Sequence, residues 1–179
     1  MSAAPSINEI RTQAEAFASA LQVGAVAVDD VVAWADAIIE REDHPHWAIC
    51  ELASCRREYP PDVVRRLRDV PGVADIATSR GLVLRILSDS LSRDPRCADQ
   101  VARSLFDLAM ADEIVDPELK TLAWWAWDAL DLADAGMIEE TRNEIVDMMR
   151  RAIDPALWDA APGQSGAWRS PTVRSGTHS

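Results

Sequence analysis

Three groups of side chains in this sequence have types and spacings that could do chemistry. His46 and Cys50 stand one helical turn apart with His44 close by, a spacing that could hold zinc. A tetrahedral zinc site takes four ligands, and no further pair follows at standard spacing, so helix capping and solvation are the simpler roles. Arg56, Arg57, Arg65, Arg66 and Arg68 form a basic cluster that could hold a phosphate or carboxylate. No Gly-rich phosphate loop accompanies them, and pairing with acidic side chains is the expected use. The third group is a run of tryptophans and acids, Trp124, Trp125, Trp127, Asp128, Asp131 and Asp134, followed by Glu139, Glu140 and Glu144. Carboxylate metal sites in helical bundles use Glu-x-x-His pairs facing inward, and none occurs here. Neither Gly-x-Ser-x-Gly nor His-Glu-x-x-His is present. No catalytic residue, metal or cofactor is therefore assigned.

The third group gains meaning from its helical register. Stepping 100° per residue from Leu119 gathers Leu122, Ala123, Ala126, Ala129, Leu130 and Ala133 into one stripe, the expected buried face. Trp124, Asp128 and Asp131 fall opposite it, with Trp125 and Trp127 on the borders. A large ring is thus expected on a polar face. Asp131 and Asp134 also sit near the helix C-terminus, where the macrodipole disfavours carboxylates by about 0.3–1 kcal/mol each, so something else must retain them. With Glu139, Glu140 and Glu144 just past Gly136, five or six carboxylates could surround an exposed indole. Such a surface suits a basic protein, with the aromatic side chain as anchor and the charge speeding association.

The elements that must position these residues are all helical. Ser6-x-x-Glu9 reads as a capping box for a helix over Ile7–Gln22. Val28, Asp29 and Asp30 supply a cap for a second helix through Val31, Val32, Trp34, Ala35, Ile38 and Ile39, which ends near the charged stretch Glu40–Asp43. Asp94-Pro95, Asp116-Pro117 and Asp154-Pro155 each place a capping carboxylate before a proline whose φ suits the first turn. Further helices are predicted over Pro45–Arg57, Pro61–Val70, Ala74–Leu91, Pro95–Ala111, Pro117–Ala135, Ile138–Ile153 and Pro155–Ala161, with Gly136 terminating the longest. No segment alternates in the manner of a strand. The expected fold is all-α, a compact bundle of about seven or eight antiparallel helices, with a HEAT-like stack of helical hairpins as the alternative. Residues 1–161 are expected to form one helical domain and 162–179, rich in Gly, Ser, Pro and Thr, a flexible tail.

Composition narrows the partners. The chain has 179 residues, 48% apolar, with 18 Lys+Arg against 30 Asp+Glu and a formal charge of −12. That balance argues against a phosphate backbone as partner. The longest uncharged run, Ala16–Val28, covers 13 residues, short of the roughly 20 a membrane span needs. The first residues show no basic region followed by an apolar core, so a cytoplasmic location is expected. The odd set of Cys50, Cys55 and Cys97 is expected to remain reduced and to pack as small hydrophobes. Acidity is uneven: residues 1–50 carry 8 acids against 2 bases and 106–160 carry 14 against 4, while 51–105 carry 8 against 10.

In size, helical pattern and acidity, with the last long helices most acidic, the chain resembles the immunity and antitoxin proteins that bacteria keep in the cytosol against basic nuclease toxins. The resemblance implies an inhibitor presenting acidic and aromatic groups to a cationic protein. The expected function is therefore a non-enzymatic protein-binding module using Trp124, Trp127, Asp128, Asp131, Asp134, Glu139 and Glu140. Two alternatives stand beside it. One is a small helical enzyme or ligand receptor whose tryptophans, Trp34, Trp47 and Trp158 among them, line an apolar pocket. The other is a structural helical adaptor.

Overall fold

A computed structural model describes residues 5–154. Among them stand eight α-helices and no strand: α1 (Ile7–Gln22), α2 (Val28–Ile39), α3 (Trp47–Ala53), α4 (Pro60–Arg68), α5 (Ile76–Arg93), α6 (Ala98–Met110), α7 (Pro117–Asp134) and α8 (Arg142–Ile153), with a 3-10 turn over Pro95–Cys97 before α6. The helix expected over Pro155–Ala161 and the tail from 162 lie outside the described residues. No helix among the described residues is long and apolar enough to cross a membrane.

Helix boundaries follow local hydrogen-bond chemistry. The capping box at α1 closes with Ser6 Oγ accepting from Glu9 N–H and Glu9 Oε2 accepting from Ser6 N–H at 2.6 Å. Asp116 accepts from Leu119 N–H at 2.7 Å and starts α7 as expected, whereas Asp94, accepting from Arg96 N–H at 3.1 Å, caps only the 3-10 turn Pro95–Cys97, and α6 itself begins at Ala98 with Cys97 as its N-cap. At α2 the cap differs from expectation. Ala27 occupies the N-cap, and Asp30 supplies half a box by accepting from Ala27 N–H at 2.8 Å. Helix α3 is shorter than Pro45–Arg57 at both ends. His46 is its N-cap, with Nδ1 accepting from Ala48 N–H at 3.2 Å, and Ser54 Oγ ends it by donating to the carbonyls of Cys50 and Glu51. Helix α8 begins at Arg142 rather than Ile138 because Thr141 and Glu144 form a third capping box. Gly136 (φ +67°) closes α7 in a Schellman arrangement, with Gly136 N–H to Ala133 O at 3.0 Å and Met137 N–H to Leu132 O at 2.8 Å.

These caps carry a pH dependence. Backbone and hydroxyl donors hold Glu9, Asp75 and Glu144 below the usual carboxylate range, and the Arg96 side chain and backbone do the same for Asp94. A carboxyl whose folded pKa is depressed binds protons more readily once unfolded. Its contribution is therefore intact above the ordinary value of about 4 and lost as pH falls through the lowered one. Denaturant midpoints should hold steady from pH 7 to about 5 and fall below that. A midpoint unchanged at about pH 3 would show that the caps contribute nothing.

The helices group into two compact units, one through Ile86 and one from Leu87, with the boundary inside α5. In the N-terminal unit α1 packs on α4, and α2 on α3. Ile10, Val31, Ile49, Leu52 and Leu67 are among its buried core residues. Trp34 closes that core at its border, 5.1 Å from Phe17 between ring centroids, its Nε1–H donating to Gln13 Oε1 at 2.9 Å. A strap over residues 71–75 is tied to α1, where Asn8 Oδ1 accepts from Val73 N–H at 2.9 Å and Thr12 Oγ1 from Asp75 N–H at 3.0 Å. In the C-terminal unit α7 packs on both α6 and α8. Leu105, Leu122, Leu130, Ile145 and Met149 are fully buried there.

Candidate interaction surface on α6 and α7

Helix α7 turns the way its periodicity requires. Leu119, Leu122, Ala123, Ala126, Ala129 and Leu130 are buried, while Ala133 is half-buried. On the opposite side Trp124 is 48% exposed, and Asp128 and Asp131 are exposed; Trp125 and Trp127 take the half-buried borders.

What the periodicity of α7 alone could not supply is the contribution of α6. Phe106 lies edge-on to Trp124, with centroids 5.5 Å apart at 75°, and 5.3 Å from Trp127. Edge-to-face contacts of this kind suit the ring quadrupoles. Above Trp127 the guanidinium of Arg103 sits 4.7 Å from the ring centroid, and Arg103 Nε is 3.7 Å from Asp107 Oδ2. The three rings and the guanidinium thus form a ridge across the two helices. Phe106 and Arg103 were missed because nothing in α6 marks them apart from their i, i+3 spacing.

The carboxylates do not all serve this ridge. Arg142 Nη1 holds Asp134 at 2.8 Å, and Nη2 of the same guanidinium hydrogen-bonds Asp99. This pairing answers what retains an acid at the C-terminal end of α7. Glu144 is spent in the capping box of α8. Glu139 is exposed and Glu140 half-buried in the loop between α7 and α8, and Glu140 Oε2 is buried without a hydrogen-bond donor among the described residues. The side-chain carboxylates of Asp128 and Asp131 have no ion-pair or hydrogen-bond partner among the described residues. Of the expected carboxylate ring, these two share the face of Trp124.

The other candidate groups resolve into local roles. His46 Nδ1 is engaged at the α3 cap, and no three His, Cys, Asp or Glu side chains converge as a metal site among the described residues. In the basic cluster, Arg56 pairs with Asp29 at 3.2 Å, Arg65 with Asp62 at 3.4 Å, Arg66 with both Glu51 and Glu58, and Arg68 with Glu15 at 3.5 Å. Arg11 and Glu15 form a closer, largely buried pair at 2.7 Å. Of the cysteines only Cys55 is a buried small hydrophobe as expected; Cys97 is half-buried and Cys50 exposed, because the α3 register turns Cys50 outward. Burial pushes the Cys55 thiol pKa up.

Trp34 and Trp47, two of the three tryptophans suggested for a pocket, are placed apart from the cleft of the N-terminal unit. Trp34 is packed against Phe17, Trp47 is 61% exposed, and Trp158 lies outside the described residues. A cleft of about 630 Å³ in the N-terminal unit is walled instead by Asn8, Thr12, Gln13, Asp75, Thr78 and Leu82, among others.

Compared with protein-family models, curated proteins and solved structures, the chain matches none.

Proposed function

We propose that this chain is a non-enzymatic, cytoplasmic protein-binding module that receives a basic protein on the α6–α7 face, in the manner of an immunity protein neutralising a cationic toxin. One observation carries this reading: a half-exposed tryptophan on the solvent side of α7 is flanked by two acids with no partner among the described residues. Aromatic anchors are enriched at binding hot spots, and unpaired surface charge accelerates encounter with an oppositely charged protein. The sequence of contacts supports an antiparallel arrangement of the two helices. Arg103 meets Trp127, Phe106 reaches Trp124, and Asp112 pairs with Lys120 at 2.6 Å.

A basic protein encoded beside this chain is the ligand of choice for the test. Trp124→Ala is expected to weaken its binding by about 2 kcal/mol or more, chiefly through faster dissociation. The isolated variant should lose only about 1–2 kcal/mol of stability, below the roughly 3–5 kcal/mol typical of a buried tryptophan, because the residue is already 48% exposed. Asp128→Lys with Asp131→Lys should slow association, and added salt should bring the wild-type rate toward theirs. Salt-insensitive binding, together with a severely destabilised Trp124→Ala, would sink the proposal.

A further inference from the structure

We infer that the uncovered side of Trp124 is a position for a guanidinium, so that an arginine of the basic partner stacks on this ring while Asp128 and Asp131 take its charge. This rests on the binding face proposed above and names the chemistry it selects.

The same ridge already contains such a contact. Arg103 lies 4.7 Å over Trp127 and its charge is answered by Asp107, one helical turn further along α6. Trp124 repeats part of that unit without the cation. Asp128 is one turn beyond it and Asp131 two turns beyond, both on the exposed side. The edge-on contact with Phe106 covers at most one face of the indole, consistent with its 48% exposure. The nearest cation on the same helix, Lys120, is four residues earlier, but its Nζ is held by Asp112 at 2.6 Å. Arg103 is committed to Trp127. Both local cations are thus engaged elsewhere, and the acids on the Trp124 side stay uncompensated.

Charge decides the kind of occupant. A second copy of a chain with a formal charge of −12 would bring like charge to this face. Arginine fits better than lysine because its planar guanidinium stacks on an aromatic face and still directs N–H donors sideways to carboxylates, whereas an ammonium is a compact, strongly hydrated point charge.

The test uses the full chain labelled with 15N, titrated at low salt with capped hexa-arginine and hexa-lysine peptides. The indole N–H of Trp124, assigned by its loss in Trp124→Phe, is followed together with the amides of Asp128 and Asp131. Hexa-arginine should shift all three signals and bind about three- to fivefold tighter than hexa-lysine. Trp124→Leu should abolish that preference while leaving weak binding of both peptides, and Trp124→Phe should retain much of it. Asp128→Asn with Asp131→Asn should weaken both peptides. Equal affinities with shifts confined to the aspartate amides would overturn the guanidinium assignment and leave the acidic binding face standing. No shift anywhere on α7 with either peptide would overturn both.

Discussion

Leu130→Ala is expected to cost the fold about 2–5 kcal/mol. Leu130 is fully buried in α7, two residues from exposed Asp128 and on the opposite side of the helix from Trp124. Shortening it removes apolar contact and leaves a cavity that close-packed neighbours fill only in part. The denaturant midpoint should fall sharply with little change in slope. Faster exchange of α7 and α8 amides would place the loss in the C-terminal unit. At denaturant concentrations where the variant remains folded, the polar face should keep its chemistry, so peptide or partner binding should match wild type. A loss below about 1 kcal/mol would mean that the buried stripe of α7 is misassigned.

Gly72→Ala is expected to destabilise the N-terminal unit by about 2–4 kcal/mol, for a different reason. Gly72 has φ +115°, a conformation L side chains rarely adopt, and an added Cβ would lie 3.0 Å from the carbonyl oxygen of Ile7 and 3.1 Å from both Arg11 Cβ and Asn8 Oδ1. The carbonyl belongs to α1 and cannot yield without disturbing the helix. The strap over residues 71–75 would have to lift, loosening the hydrogen bonds from Val73 N–H to Asn8 and from Asp75 N–H to Thr12. Gly136 is the natural control, since it also has positive φ but an added Cβ there meets nothing within 4 Å. Gly136→Ala should cost only about 1 kcal/mol, the backbone penalty alone. Equal losses at the two glycines would refute the crowding argument. Exchange rates of the Val73 and Asp75 amides would show whether the strap is what gives way.

The contrast between these two sites shows what the linear sequence reveals. The register of α7 was legible because its determinants are local: an Asp-Pro start, a glycine stop and apolar residues at helical spacing. Helix α1 was legible to the residue through Ser6 and Glu9. Thr141 and Glu144 carry an equally readable capping box, which starts α8 four residues later than Ile138, where apolar periodicity alone would begin it. The end of α3 was harder to read, since Ser54 turns its hydroxyl onto two carbonyls where apolar periodicity would allow the helix to continue. Long-range pairings left no signal of this kind. Arg142 lies 43 residues from Asp99, and the Phe106 ring that braces Trp124 belongs to another helix. Counting acids along the chain therefore overstated the charge gathered at the indole, because it could not show which carboxylates were already committed to a cap or a cation.

The uneven burial of the three thiols gives the chain its own clock for opening. Cys50 is open to reagent at the surface of α3, whereas Cys55, five residues later, is enclosed with Sγ 2.9 Å from the Leu52 carbonyl. A thiol-reactive probe should therefore reach Cys50 directly and Cys55 only in molecules whose N-terminal unit has transiently opened. When reclosing outpaces alkylation, the ratio of the two labelling rates rises and falls in proportion to the equilibrium constant for that opening, measured under native conditions without denaturant. Gly72→Ala should raise that ratio, turning two neighbouring cysteines into a stopwatch for one half of the molecule.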